Sequence, residues 1–461
     1  MQCKPVLGGV RLVISAVYLA LALALALAVT APAAHADGPT PAVSGRWLVN
    51  ADFYGTPQYF KLELALQGEA LSGDFSGDKL VGTVRGNAVQ FLATDSEGGT
   101  EDLKGTLANG TITGTVIFVD SDDPKHPTSH AFTATFIPPR AAKPAKRHDF
   151  TPTVFYRQFS ALNKPVLTVA PGDTIVTTTV DAGGSDAKGV TRVLGGNPQT
   201  GPFYIEGAMP GDTIAVHLVR VRLNRDWAIS DDGLVPRATD DDLAVKMKDT
   251  GKSVRWHLDV AKGVATSEKP GDHLGRYTVP LRPMLGCVGV APGPAAAPPP
   301  TGDSGRWGGN MDFNEMVEGA TLYLTAQNPG ALLYFGDGHA AQGDGELTGN
   351  ALETSLDVQL TVDVIPGKAV PGPRVESATH LMAMGLEGSL DAAFRTATAN
   401  MAKWLADDYK LTPSEIAQVL GTAAEYRISE VADRNAGIVL KLSKERLRTL
   451  TPGAASRPAT K

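Results

Sequence analysis

The chain has 461 residues, a formal net charge of −7 and a charged fraction of 20%. The acid excess argues against a nucleic-acid partner, and the length exceeds the roughly 100–200 residues of one domain. With 50 Gly and 32 Pro, many short strands and turns are expected rather than long helices.

Residues 1–36 open with Lys4 and Arg11, run apolar from Leu12 to Val29, and end on Ala34, His35, Ala36 ahead of Asp37. Charged, apolar and small-residue zones in that order predict a signal peptide, a secreted or periplasmic protein, and no stable membrane span after cleavage. An uncleaved anchor is the alternative reading of the same apolar run. Once Cys3 leaves with the signal, Cys287 stands alone and no intrachain disulfide can form. An exported chain without disulfides must rely on a sizeable core.

Residues 37–137 alternate apolar and polar in short runs: FKLELALQ, KLVGTVRG, AVQFLATD, LKGTLANG, TITGTVIFVD, HAFTATFI. Gly86-Asn87 and Asn109-Gly110 are two-residue hairpin signals, so a small antiparallel β barrel or sandwich is expected. His126 and His130 flank a proline-containing turn without cysteine or clustered carboxylates, and read as solvated turn residues rather than ligands. PPRAAKPAK, within 138–147, is the expected linker.

Residues 148–450 form the second region. APGDTI at Ala170–Ile175 and MPGDTI at Met209–Ile214 each predict a tight turn feeding a half-buried strand, and two such units favour a β-sandwich. His217 and His257 have strand spacing and read as structural histidines. Trp227, Asp231 and Asp232 are expected in a loop able to gate a site. Cys287 lies in an apolar strand with no adjacent cation, the setting of an inert thiol. The GDSG at Gly302–Gly305 is weak evidence for a Ser304 nucleophile, because a triad is defined by geometry.

Most of the chemistry gathers in Gly302–Glu353. GGNMDFNEM is followed by PGALLYFGDGHAAQGDGE, where the apolar Ala331–Phe335 run enters a glycine-rich turn. Asp337 and His339 would emerge at the strand's end, with Asp344 and Glu346 across a second turn and Asp312 on a neighbouring strand. One imidazole with several carboxylates suits a divalent cation, zinc or calcium, which would activate water. Asp312, Asp337, His339 and Asp344 are the candidate ligands. His339 and Glu346 are candidate catalytic groups, and Asn310, Gly336 and Gly338 would line the substrate. Asp beside Gly is also common in turns for conformational reasons alone.

Toward the end, Ser389 precedes a helix with Leu390, Phe394, Ala397, Met401 and Leu405 on one face. Thr412-Pro413-Ser414-Glu415 is a capping box that starts a second helix. Tyr426–Val431 and Ile438–Leu442 read as strands, and residues 451–461 as a frayed tail.

GGNMDFNEMVEGATLYL and PGALLYFGDGHAAQGDGE, with GGNPQTGPFYIEGAMPGDT upstream, resemble the acetamidase/formamidase family over about residues 150–450. The resemblance implies a mainly β fold, a β-sandwich with an α+β C-terminal part behind the small β domain. It implies hydrolysis of a short linear amide to carboxylate and ammonia, and makes Glu206 of the upstream block a candidate base or ligand. A secreted binding protein that keeps the fold without turnover is the alternative. A homo-oligomer is the expected assembly.

Overall fold

Alternating apolar residues dictate the first element of the computed structural model, which describes residues 43–139, 144–294 and 296–450. The expected signal peptide, part of the linker and the tail lie outside the described residues. From Val43 onward the described residues form one compact unit.

Eight strands between Gly45 and Ile137, each paired antiparallel with the next, close into a barrel when Gly45–Phe53 meets Thr128–Ile137. Two of them, Gly45–Phe53 and Ala70–Phe75, go beyond the six runs read from sequence. Inward positions are filled by Trp47, Leu62, Phe75, Phe91, Leu103 and Ile112, so the interior is packed. Asn109 and Gly110 both hold positive φ at their hairpin, 50° and 73°, as a type I′ turn requires. His126 is exposed and takes Asp123. His130 departs from its expected solvated role. It is buried, stacked 3.9 Å from Phe53, with Nδ1 3.0 Å from the Asp52 carbonyl, because the strand begins at Thr128 and its alternation turns position 130 inward.

The rest is two sheets face to face with an α+β appendage. The echoed PGDT turns deliver Thr174–Thr178 and Thr213–Leu223 to a 9-stranded sheet. A 12-stranded sheet opposes it, centred on Met284–Val290 and Leu333–His339. Their facing side chains make one core: Ile214, Val216, Leu322 and Leu360 from the first meet Phe203, Val288, Leu333 and Phe335 from the second. Phe203 stacks on Phe335 with centroids 5.4 Å apart, a pairing worth about 0.5–1.5 kcal/mol beyond its burial.

The Leu390–Tyr409 helix is capped by Ser389 and buries Ala393, Ala397, Met401, Trp404 and Leu405. Phe394 and Leu390 stay largely exposed, so the buried stripe is rotated from the predicted one toward Ala393 and Trp404. The Thr412–Glu415 capping box starts the Pro413–Ala423 helix as expected. Trp227–Asp231 is a strand rather than a gating loop, and Asp232 accepts from the Gly251 and Lys252 amides. His217 and His257 are exposed on outward strand positions. No helix among the described residues is long and apolar enough to cross a membrane.

Candidate functional site

Four neighbouring strands of the larger sheet build the site: Glu353–Thr354, Leu333–His339, Met284–Val290 and Gly308–Asn310. His339 is the register partner of Glu353, and the Met311 and Asp312 amides both donate to the Gly286 carbonyl. Asp312, Asp337 and His339 therefore converge over Gly286. A Cβ there would lie 2.3 Å from Asp312 Oδ1 and 2.8 Å from Asp337 Oδ2, so only glycine leaves room for the three side chains.

His339 is fully buried, and its two ring nitrogens face different partners. Gln342 Nε2 donates to the Asp312 and Ser429 carbonyls, at 2.5 and 3.2 Å, which leaves its Oε1 to accept from His339 Nδ1 at 2.8 Å. Nε2 then points at carboxylates: Glu353 at 3.2 Å, Asp337 at 3.4 Å and Glu346 at 4.0 Å. The Ala351 amide donates to both Glu346 and Glu353, 3.0 Å from each.

Burial sets the electrostatics, and crowding of like charges adds to it. Burial, then the neighbouring Glu346 and Asp337, push Asp312 well above the usual carboxylate range. Burial also holds Glu346 well above it, and brings Glu353 up to about 7. Burial works against Asp337 too, but the His339 charge and hydrogen bonds from its neighbours keep it low. For His339, burial alone would favour the neutral ring, yet Glu353 and Asp337 raise it well above its ordinary value. The carboxylates around Nε2 thus favour positive charge there.

The residues present fit a cation. Asp312, Asp337 and His339 offer ligand atoms within 4.8 Å of one another, as do His339, Glu346 and Glu353. Asp312 Oδ1, Asp337 Oδ1, Glu353 Oε2 and His339 Nε2 are buried without a hydrogen-bond partner among the described residues, a cost that ligation would offset. The Gln342 contact fixes the tautomer, as the outer partner of a ligating histidine does. Asn197, Asp312, Asp337 and Glu346 hold positive φ of 57°, 40°, 55° and 44°, a concentration of strain typical of functional sites.

Other expected residues stand elsewhere. Asp344 falls outside both ligand groups: Arg427 holds its carboxylate at 2.5 and 2.6 Å, and Asn314 donates to it at 2.9 Å. Glu206 is exposed, at the far end of the Gln199–Ile205 strand from Asn197 and Gln199. The alternation that turns Ile205 inward turns the next residue out. Asn310 is at the site, donating to Asp312 Oδ2 at 2.6 Å and accepting from Asn197 at 2.5 Å. Gly336 faces the Gln199 side chain, and Gly338 faces Leu356. Cys287 is buried, its thiol pushed up by burial and by Asp337, Asp312 and Asp433. The Ser304 hydroxyl is buried with no hydrogen-bond partner among the described residues, so no base touches it.

Sequence reasoning missed Gly286, Asn197, Gln342, Glu353, Glu430 and Asp433. A glycine inside the apolar MLGCVGV strand is a signal of close approach, and Glu353 ends the carboxylate-rich stretch. Glu430 and Asp433 carry no such signal. They arrive from the C-terminal strand pair, where Asp433 Oδ2 accepts from Asn310 at 2.8 Å and the Asp433 amide donates to Glu430 at 3.2 Å.

Comparison with known proteins agrees with this architecture. The model of the Acetamidase/Formamidase family matches residues 299–442, the segment that carries Asn310, Asp312, Asp337, His339, Glu346 and Glu353. A solved structure described as a predicted acetamidase/formamidase from Thermoanaerobacter tengcongensis is 27% identical, with a TM-score of 0.57 over 66% of this chain and 98% of its own. An acetamidase from Yersinia enterocolitica is also 27% identical, with a TM-score of 0.57 over 67% and 94%. One from Bacillus halodurans is 25% identical, with a TM-score of 0.55 over 66% and 99%. No curated protein matches the chain.

Proposed function

We propose, from a chain that matches the acetamidase/formamidase family in sequence over residues 299–442 and in fold over two thirds of its length, that this protein is an exported hydrolase of linear primary amides. It would cleave a carbon–nitrogen bond to give a carboxylate and ammonia, with formamide and acetamide the smallest substrates of the class. The observation that carries the reading is the buried set of unpartnered donor atoms around His339 Nε2, inside the segment that matches the family.

Asp312, Asp337 and His339, with Glu353 beside them, would hold a divalent cation, leaving Glu346 unligated. Zinc accepts such a mixed set, and the excess of carboxylate oxygens also suits calcium. When bound, the ion would lower the pKa of water and polarise the amide carbonyl. The side chains do the rest. Glu346 is the member of this cluster that also lines an open cavity, and it would be the carboxylate that takes a proton from water. It then returns the proton to the departing nitrogen, because ammonia leaves far better than amide anion. Gln342 keeps Nδ1 of His339 protonated, and the Ala351 amide orients Glu346. A symmetric homo-oligomer, common for large enzymes, goes with this reading.

The test is ammonia release from a panel of amides by the purified protein, before and after chelation, and in His339→Ala. Release that disappears on chelation and returns with added zinc or calcium is expected, with His339→Ala inactive but folded by circular dichroism. No release from any amide would sink the hydrolase reading; release that survives complete metal removal would take away the ion.

A further inference from the structure

Glu346 and Gln342 border a cavity of about 560 Å³. Its walls are mostly carbon: Trp256, Tyr277, Val279, Pro280, Leu347 and Leu352. Several polar groups among its lining are engaged with one another, while Arg282 and the Asn314 Oδ1, which has no hydrogen-bond partner among the described residues, remain as polar features of the wall. Asp231 Oδ2 accepts from Asn350 at 2.5 Å, Arg427 holds Asp344, and Trp256 Nε1 donates to Ser230 Oγ at 2.9 Å. Tyr277 and Leu347, both in the lining, are 55% and 44% exposed, large apolar side chains whose exposure internal packing does not explain.

Formamide and acetamide have only a few heavy atoms, whereas cavities of roughly 300–1,000 Å³ enclose drug-sized ligands. We propose that the substrate is a primary amide whose acyl part is a bulky apolar or aromatic group, seated between Trp256, Tyr277, Val279 and Leu352 with its amide at Glu346. This rests on the amide-hydrolase reading for turnover, but the ligand class of the cavity can be measured without it. Selectivity then comes from apolar surface removed from water, at about tenfold or more per well-placed methylene.

The experiment uses the full purified chain with formamide, acetamide, hexanamide and phenylacetamide. Binding is read from tryptophan fluorescence, which Trp256 reports, and turnover from ammonia. Affinity and kcat/KM are expected to rise with acyl size, by about a hundredfold from acetamide to phenylacetamide, a couple of such tenfold steps. Val279→Trp should shift the phenylacetamide-to-acetamide ratio back by about tenfold. Leu347→Ala, at an exposed wall position that folding does not need, should weaken phenylacetamide binding several-fold. Affinity that rises with size without ammonia release sustains the ligand class and removes the hydrolase reading. Ammonia from acetamide, with affinity flat or falling as the acyl group grows, keeps the hydrolase and overturns the inference.

Discussion

At the scale of single residues, the site depends on which ring nitrogen of His339 carries the proton. The Gln342 amide has both of its hydrogens spoken for by carbonyls, so its oxygen can only accept. Gln342→Met removes that acceptor with little change in volume. Metal affinity, measured by competition with a chromophoric chelator, should fall by about 10–100-fold, the usual effect of losing an outer partner. An unchanged affinity would mean that the imidazole is oriented by packing alone. Sequence reading singled out His339, Asp337, Asp312 and Glu346 because they crowd a glycine-rich motif, and the structure gathers them in one buried cluster. That reading gave Asp344 the same weight, since a turn aspartate beside glycine looks identical until Arg427 is seen to occupy it.

At the scale of elements, the segment between Glu425–Ile428 and Ala436–Ser443 is the piece that sequence pattern could not place. Both strands were legible, but the first, read as Tyr426–Val431, ends at Ile428, and residues 429–431 belong to the loop instead. That the loop between them dips toward Asn310 and brings Glu430 and Asp433 was not legible. Beside the Gln342 and Asn310 hydrogen bonds to Ser429 and Asp433, two more contacts hold it there. The Gly345 amide donates to the Ile428 and Ser429 carbonyls, and Arg237 donates to the carbonyls of Val431, Asp433 and Arg434 at 3.4, 2.5 and 2.7 Å. Arg237 belongs to the short 3₁₀ turn Pro236–Ala238, far away in sequence. Arg237→Met should leave the thermal midpoint nearly unchanged while making the 429–435 amides exchange hydrogen faster, because a loop held by side-chain donors opens locally when they are removed. Turnover should fall with it, and protection equal to the parent protein would show that Arg237 is not the clamp.

For the whole molecule, the barrel is tied to the sandwich through a buried carboxylate. Asp212, in the second PGDT turn, accepts from the Met209 and Gly367 amides at 3.0 and 2.8 Å and is paired with Lys61 and Arg46 of the barrel at 3.2 and 3.5 Å. Breaking a buried pair strands its partner, although here two amides and the remaining cation still satisfy the carboxylate. Lys61→Met should therefore cost only about 1 kcal/mol. The double change with Arg46→Met should split a single unfolding transition into two, read by calorimetry; one transition in the double variant would mean that the bodies are coupled by other contacts. What the sequence alone determined were local facts. Strand alternation, hairpin glycines, helix caps and the motif that carries His339 each depend on residues a few positions apart, whose periodicity and turn chemistry follow directly from their identities. What only the tertiary structure decided were coincidences in space. These are the empty position at Gly286 that lets three side chains meet, Glu353 opposite His339, Glu206 turned away, and the cavity beside Glu346. Each is set by how strands distant in sequence pair in register, and a one-residue shift there would send the same side chains to the opposite face.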